Sequence, residues 1–243
     1  NETDLMSNRN NLVNFFTSDV LNSIEQFIRV EIEKPTKNGK KTISKKKQTT
    51  LMKQQRITDP TELENIRWHL IRHCHSDICI KYFSFSKYLN VIDTIEDDQR
   101  LFDNYDLIFK NFFNENKKTT FSPSITKIIQ NSTLLDSPIE TLNKGIECGA
   151  PLERLQRIYC CTNKIQDIYL YETGQQAPAD DLLPLFICVL LKAKIPNLVS
   201  LSKYLDHFLF SLQTMHILSP LEEYTTSTFV SSVDLILKEL NRI

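Results

Sequence analysis

Glycine is scarce in this sequence, with four among 243 residues, whereas an average chain holds about 7%. The four are Gly39, Gly145, Gly149 and Gly174. No two of them have the spacing of a phosphate-binding loop, so the sequence excludes a Walker loop, a dinucleotide fingerprint and a GxSxG nucleophile elbow. We therefore expect no cofactor, and no nucleotide held by a glycine-rich loop of this chain.

The sequence also lacks a long apolar run, a basic excess and paired cysteines. Its longest apolar run, 182–191, has ten residues, whereas a membrane-spanning helix needs about 20. The formal net charge of -1 argues against a nucleic-acid-binding protein. The six cysteines show no paired spacing, so we expect reduced thiols and a cytoplasmic location.

Apolar stripes with a helical period run through most of the chain and predict an all-α protein. We divide it into an N-terminal helix (1–33), a basic flexible linker (34–58) and two further helical regions (59–136 and 137–243). The segment from Asp180 to Lys194 is apolar on all sides, which is typical of a central buried helix. The last helix is predicted to begin at about Phe229.

The linker is strongly basic. Nine basic residues and no acidic residue lie between Lys34 and Arg56, which is typical of a solvated loop. An alternative is that its lysines attract an acidic membrane surface, each adding about 1 kcal/mol. No aromatic residue is interleaved with them, so the segment is not expected to stack on nucleic-acid bases.

One short segment carries five potential metal ligands, His69, His73, Cys74, His75 and Cys79. His69 and His73 are four residues apart and share a helix face, as a zinc pair does. The others lie on different faces, and no second Cys/His cluster exists to complete a site. We therefore expect no metal and interpret the segment as a polar helix face with buried thiols. A zinc-stabilised domain or zinc enzyme is the alternative.

Two adjacent carboxylates, Asp180 and Asp181, open the most apolar helix in the chain and stand between Pro178 and Pro184. Acidic residues in a first helical turn are explained by capping, which stabilises a helix by about 0.3–1 kcal/mol. One aspartate is enough for that purpose. The alternative is that one of the two is held outward as a negative charge with a function.

The sequence ADDLLP at 179–184, the apolar run 185–193 and the tripeptide PNL at 196–198 resemble the core of the vacuolar protein sorting nine domain. That family catalyses nucleotide exchange on endosomal Rab GTPases of the Rab-five subfamily. The helix LERLQRI at 152–158 is similar to the domain's lead-in, and the resemblance covers about 138–240. It implies an all-α fold in which 59–136 form a helical bundle and 137–243 form a layered helical exchange domain, the VPS-nine-type catalytic core.

The resemblance also implies the residues of the site. Asp180 matches the family's catalytic aspartate, and Tyr224 matches its tyrosine, which we also expect to serve catalysis. Pro184 matches the family's surface proline and is expected to bind the partner. Ser227 stands where the family has a threonine and keeps the hydroxyl, so it is expected to bind the partner too.

Three further residues, Asp181, Pro196 and Asn197, are expected to contact the partner, the last two by shaping the rim of its groove. A plain turn that ends a helix is the alternative explanation for Asn197. The chain departs from the family where Thr225 and Thr226 replace an aromatic pair.

The expected function is therefore that of a guanine-nucleotide exchange factor, which releases nucleotide without covalent chemistry. Asp180 would compete for the phosphate-loop lysine of a Rab-five-subfamily GTPase and disturb its magnesium ion. The expected location is cytoplasmic, peripheral on early endosomes. The alternative is a non-catalytic Rab-binding or scaffold module in endosomal trafficking.

Overall fold

The computed structural model describes residues 60–82, 84–90, 92–113, 121–146, 149–214 and 217–243. The predicted N-terminal helix and basic linker lie outside the described residues and stay predictions. The chain divides into two compact units between His75 and Ser76. Of the first unit, the structure describes 60–75, which is helical throughout.

The described residues form nine α-helices and no strand, so the predicted all-α class is confirmed. The helices are α1 (Pro60–Tyr82), α2 (Phe85–Leu89), α3 (Ile95–Phe112), α4 (Pro123–Gln130), α5 (Asp136–Ile146), α6 (Pro151–Thr173), α7 (Ala179–Ala193), α8 (Leu198–Thr214) and α9 (Pro220–Leu240). A 3-10 turn, Ser132–Leu135, joins α4 to α5. None of the helices in the described ranges combines the length and apolarity that crossing a membrane requires.

Helix α7 is the centre of the second unit, as its composition predicts. It packs against α3, α4, α5, α6 and α9, and every side chain from Leu185 to Leu191 is buried. A helix surrounded on all sides has no polar face, which explains why its sequence is apolar all round. The ring of Phe186 lies 6.3 Å from that of Phe229 on α9, measured between centroids.

Helix α3 joins the segments on the two sides of the predicted boundary at 136–137. It packs against α7, α8 and α9, and its buried Asp98 accepts hydrogen bonds from the backbone N–H groups of Val199 (2.7 Å) and Ser200 (3.3 Å). These donors lie in the first turn of α8, where a helix has no internal acceptors for them. Asp98 therefore caps α8 from another helix, and the domain division at 136–137 stays a prediction.

A second contact ties α3 to the turn after α7. The hydroxyl of Tyr105 donates to the backbone carbonyl of Ile195 over 2.7 Å, and the Tyr105 ring is buried. Thr94, just before α3, forms a buried hydrogen bond to the Ser200 hydroxyl over 2.5 Å. Buried polar groups stabilise a fold only when they are paired in this way.

The predicted start of the last helix at about Phe229 is wrong, because α9 begins nine residues earlier, at Pro220. Ser219 and Glu222 form a capping box there. The Ser219 hydroxyl accepts from the Glu222 N–H (3.3 Å), and the Glu222 carboxylate accepts from the Ser219 N–H (2.8 Å). Pro at the first helical position completes the start signal. Tyr224 and Ser227 consequently lie within a helix.

Candidate functional site

The first turn of α7 presents two carboxylates that differ in their surroundings. Pro178 precedes the helix and supplies no side-chain cap. The negative charges of Asp180 and Asp181 therefore compensate the partial positive charge at the N-terminus of α7. Asp180 is exposed, and within the described part of the chain it accepts no side-chain hydrogen bond and forms no ion pair. The structure thus places Asp180 outward.

Asp181 is held by the neighbouring helix. The hydroxyl of Tyr169 on α6 donates to Asp181 Oδ2 over 2.5 Å. This hydrogen bond is the main cause that raises the pKa of Tyr169, and burial adds to it, so the phenol remains the donor. The carboxylate of Asp181 is thus hydrogen-bonded to Tyr169, and its role in binding a partner stays a prediction.

The loop between α6 and α7 is fixed by side chains of α6. Helix α6 ends at Thr173 and is capped by Gly174, whose φ of 73° is left-handed and is most readily adopted by glycine. Three residues later, both backbone polar groups of Ala177 pair with Gln166. The Ala177 N–H donates to Gln166 Oε1 (3.0 Å), and Gln166 Nε2 donates to the Ala177 carbonyl (3.3 Å).

Gln166 and Tyr169 are site-forming residues that the sequence analysis does not single out. Their partners lie eleven and twelve residues further along the chain, across a turn, which is beyond the reach of helical periodicity. The available signal is their spacing of three on one face of α6, next to the turn that precedes the acidic pair.

Pro184 lies inside α7 and is partly buried. Proline has no backbone N–H, so the helix cannot supply the usual i→i−4 donor to the carbonyl of Asp180. The first turn is closed by Pro178 instead, whose carbonyl accepts from the N–H groups of Asp181 (3.0 Å) and Leu182 (2.9 Å). The helix backbone therefore constrains Asp180 less than a residue deeper in α7.

Tyr224 and Ser227 are exposed on α9, three residues apart on one face. Tyr224 is 47% exposed, and no hydrogen bond joins it to Asp180. The hydroxyls of the two threonines between them donate hydrogen bonds within the helix. Thr225 donates to the carbonyl of Leu221 and Thr226 to that of Glu222, each over 2.8 Å. Asp180 and Tyr224 thus lie on two helices that pack together, α7 and α9.

Pro196 and Asn197 lie at the opposite end of α7 from Asp180. Both are exposed, but they follow the C-terminal end of the helix, and thirteen residues of rise separate Asp180 from Ala193, or about 20 Å. Asn197 has a φ of 48° and lines a cavity of about 580 Å³ with Phe85 and Arg154. The structure therefore does not bring these two residues beside Asp180, and their contact with a partner stays a prediction.

The potential metal ligands on α1 divide between its surface and its buried side. His69 and His73 are exposed, whereas His75 and Cys79 are completely buried, and burial raises the pKa of the Cys79 thiol to about 12. Across the described ranges, no three His, Cys, Asp or Glu side chains are grouped as a metal site requires. The described cysteines form no disulfide with one another.

Comparison with known families identifies the C-terminal part of the chain. Residues 136–241 match the vacuolar sorting protein 9 (VPS9) domain. A comparison with curated proteins gives no match. VPS9 domains are guanine-nucleotide exchange domains that bind small GTPases, and the match includes Asp180, Pro184, Tyr224 and Ser227. The chain therefore carries a VPS9 domain over residues 136–241, as the resemblance of its ADDLLP segment implies.

Proposed function

We propose that this protein is a guanine-nucleotide exchange factor that accelerates GDP release from a Rab GTPase of the Rab-five subfamily. The observation that carries the proposal is the outward carboxylate of Asp180 at the start of the central helix of a VPS9 domain, and this carboxylate has no hydrogen-bond or ion-pair partner among the described side chains. An outward carboxylate of this kind can enter the nucleotide site of a bound GTPase without first losing a hydrogen bond or an ion pair to the described side chains.

The task of an exchange factor is to weaken the GTPase's hold on its nucleotide. A GTPase binds GDP through a phosphate loop, the lysine of that loop and a magnesium ion. Coupling is reciprocal, so a factor that prefers the nucleotide-free GTPase lowers nucleotide affinity by the same ratio. A thousand-fold loosening requires about 4 kcal/mol of differential binding.

The charge of Asp180 suits this task. A carboxylate that approaches the phosphate-loop lysine competes with the phosphates for it and repels them, and both effects grow as water is excluded from the interface. Asp180 is exposed in the first turn of α7, whose residues from Leu185 to Leu191 are buried, so the charge is presented at the surface end of a packed helix. The nucleotide site then belongs wholly to the partner, which agrees with the scarcity of glycine in this chain.

A panel of purified Rab GTPases loaded with fluorescent GDP tests the proposal. We expect the protein to accelerate nucleotide release from at least one member of the Rab-five subfamily by about 100-fold or more and to leave unrelated Rabs near their intrinsic rates. This factor corresponds to lowering the activation free energy of GDP release by about 2.7 kcal/mol. The same GTPases without the protein give the baseline.

Failure to accelerate release from any Rab would contradict the proposal. If the protein in that case still retained a GTP-loaded Rab in a pull-down, the non-catalytic Rab-binding module would be the better description. The replacement of the family's aromatic pair by Thr225 and Thr226 is the feature that would then explain the loss of exchange.

Tyr224 is proposed as an anchor on the GTPase surface. Tyrosines that combine an exposed ring with a hydroxyl are enriched among residues that dominate interfaces, and Tyr224 has both on the face of α9 that carries Ser227. Replacing Tyr224 with alanine should lower kcat/KM for the preferred Rab about tenfold, equivalent to about 1.4 kcal/mol, in the nucleotide-release assay.

The control for Tyr224 is Asp234→Asn, which changes an exposed residue ten positions further along α9 and about 80° around the helix. It should exchange at the parent's rate. Because both positions are exposed, neither variant should change the free energy of unfolding by more than about 0.5 kcal/mol. Equal kcat/KM for the Tyr224→Ala variant and the parent would remove Tyr224 from the proposed interface.

We also propose that the protein acts in the cytoplasm, peripherally on early endosomes, where Rab-five-subfamily GTPases reside. The basic segment 34–56 supports this by its charge, since clustered lysines are attracted to acidic lipid headgroups.

A further inference from the structure

We propose that Gln166 and Tyr169 are positioning residues for nucleotide exchange: together they clamp the 174–178 loop and the first turn of α7 so that Asp180 is the carboxylate presented to the GTPase. The inference rests on the proposed function and adds two residues, both on α6, through which the geometry of the exchange site is set.

The first half of the clamp is the pairing of Gln166 with Ala177. A single side-chain amide satisfies both backbone polar groups of that residue, at 3.0 and 3.3 Å. Ala177 is buried, whereas the residues on both sides of it are exposed. Pro178 follows with a φ of -64°, which its ring restricts. The chain therefore enters α7 from a fixed point three residues before Asp180.

The second half of the clamp is the hydrogen bond from Tyr169 to Asp181 (2.5 Å). Tyr169 and Gln166 are three residues apart and share one face of α6. Successive side chains of a helix project about 100° apart. Because the Asp181 side chain points toward α6, the Asp180 side chain points away from α6. The two carboxylates are chemically equivalent and differ in this direction.

The first turn of α7 depends on this support because its own backbone bonding is incomplete. Pro184 removes the helical donor to the Asp180 carbonyl, and Pro178 offers no side-chain cap. The two bonds to the Pro178 carbonyl close the turn only at its beginning. Contacts from α6 thus supply the restraint that the helix itself does not.

Two variants test the clamp, each read by amide hydrogen exchange and by nucleotide release from the preferred Rab. Tyr169→Phe removes only the hydroxyl, and Gln166→Met keeps the length of the side chain without its donor and acceptor. Each should speed hydrogen exchange in 174–183 and lower kcat about tenfold with KM changed less than twofold, because a misplaced charge fails in the transition state and not in the initial encounter.

Tyr171→Phe provides the matched control, since Tyr171 lies two residues along on α6 and is 84% exposed. It should match the parent in both measurements. A positioning residue acts only through the group that it positions, so Tyr169→Phe should cause no further loss when Asp180 is already alanine. A general loss of structure would instead reduce activity in that background as well and lower the melting temperature.

The outcomes separate the two proposals. Unchanged hydrogen exchange in 174–183 for both variants would overturn the clamp, whatever the exchange activity. Faster hydrogen exchange with an undiminished kcat would show that the clamp holds the loop but does not serve exchange, and it would leave the proposed function standing. A parent protein that releases nucleotide from no Rab would overturn both proposals, even with a clamp visible by hydrogen exchange.

Discussion

Replacing Asp180 with asparagine is expected to reduce nucleotide exchange on the preferred Rab by about 100-fold or more while the protein stays folded. Asparagine keeps the shape of the side chain and removes its charge, so the loss measures the electrostatic contribution alone. Removing one preorganised electrostatic group from a catalytic site typically costs about 10²–10³ in rate. Release of fluorescent GDP under multiple-turnover conditions gives the value.

The fold should tolerate this change because the Asp180 side chain is exposed and has no partner among the described residues. Its loss removes a favourable charge at a helix N-terminus, worth about 0.3–1 kcal/mol. Asp136→Asn is the matched control, since Asp136 is also an exposed aspartate in the first turn of a helix, α5. The control should exchange like the parent, and a fully active Asp180→Asn variant would show that the assignment of Asp180 is wrong.

The second large effect is expected on stability, from Asp98→Ala. The carboxylate caps the first turn of α8 and also accepts from the Ser200 hydroxyl. Its removal leaves buried donors of Val199 and Ser200 without an acceptor, which costs about 1–3 kcal/mol. Burial raises the pKa of Asp98, so the cost of desolvating the carboxylate offsets part of the stability that its hydrogen bonds contribute. We therefore expect the free energy of unfolding to fall by about 2 kcal/mol.

Urea unfolding measures this loss as a lower midpoint with an unchanged slope. Asp97→Ala is the control on the same helix, because Asp97 is partly exposed and its ion-pair partner among the described residues is the exposed Arg100, at 3.8 Å. Such pairs contribute little, and the control should lie within about 0.5 kcal/mol of the parent. Equal midpoints for the two variants would mean that the cap on α8 does not stabilise the fold.

Local start signals predict helices well, but they must be applied along the whole chain. The combination Asp59-Pro60-Thr61-Glu62 predicts the start of α1, and the structure begins that helix at Pro60. The equivalent combination at Ser219, Pro220 and Glu222 starts α9, although the apolar stripe of that helix becomes clear only near Phe229. The apolar stripe alone therefore predicts Tyr224 and Ser227 before the last helix, whereas both lie on its exposed face.

Helix α7 and its acidic pair were predictable from the sequence, because an apolar composition on every side determines burial and the ADDLLP segment resembles the VPS9 domain that matches residues 136–241. The interhelical cap by Asp98 and the clamp by Gln166 and Tyr169 were decided only by the tertiary structure. A hydrogen bond between side chains of different helices depends on how those helices pack. Asp180 and Asp181 are adjacent in sequence and have the same chemistry. They differ because the hydroxyl of Tyr169 on α6 donates a hydrogen bond to Asp181, while Asp180 faces outward.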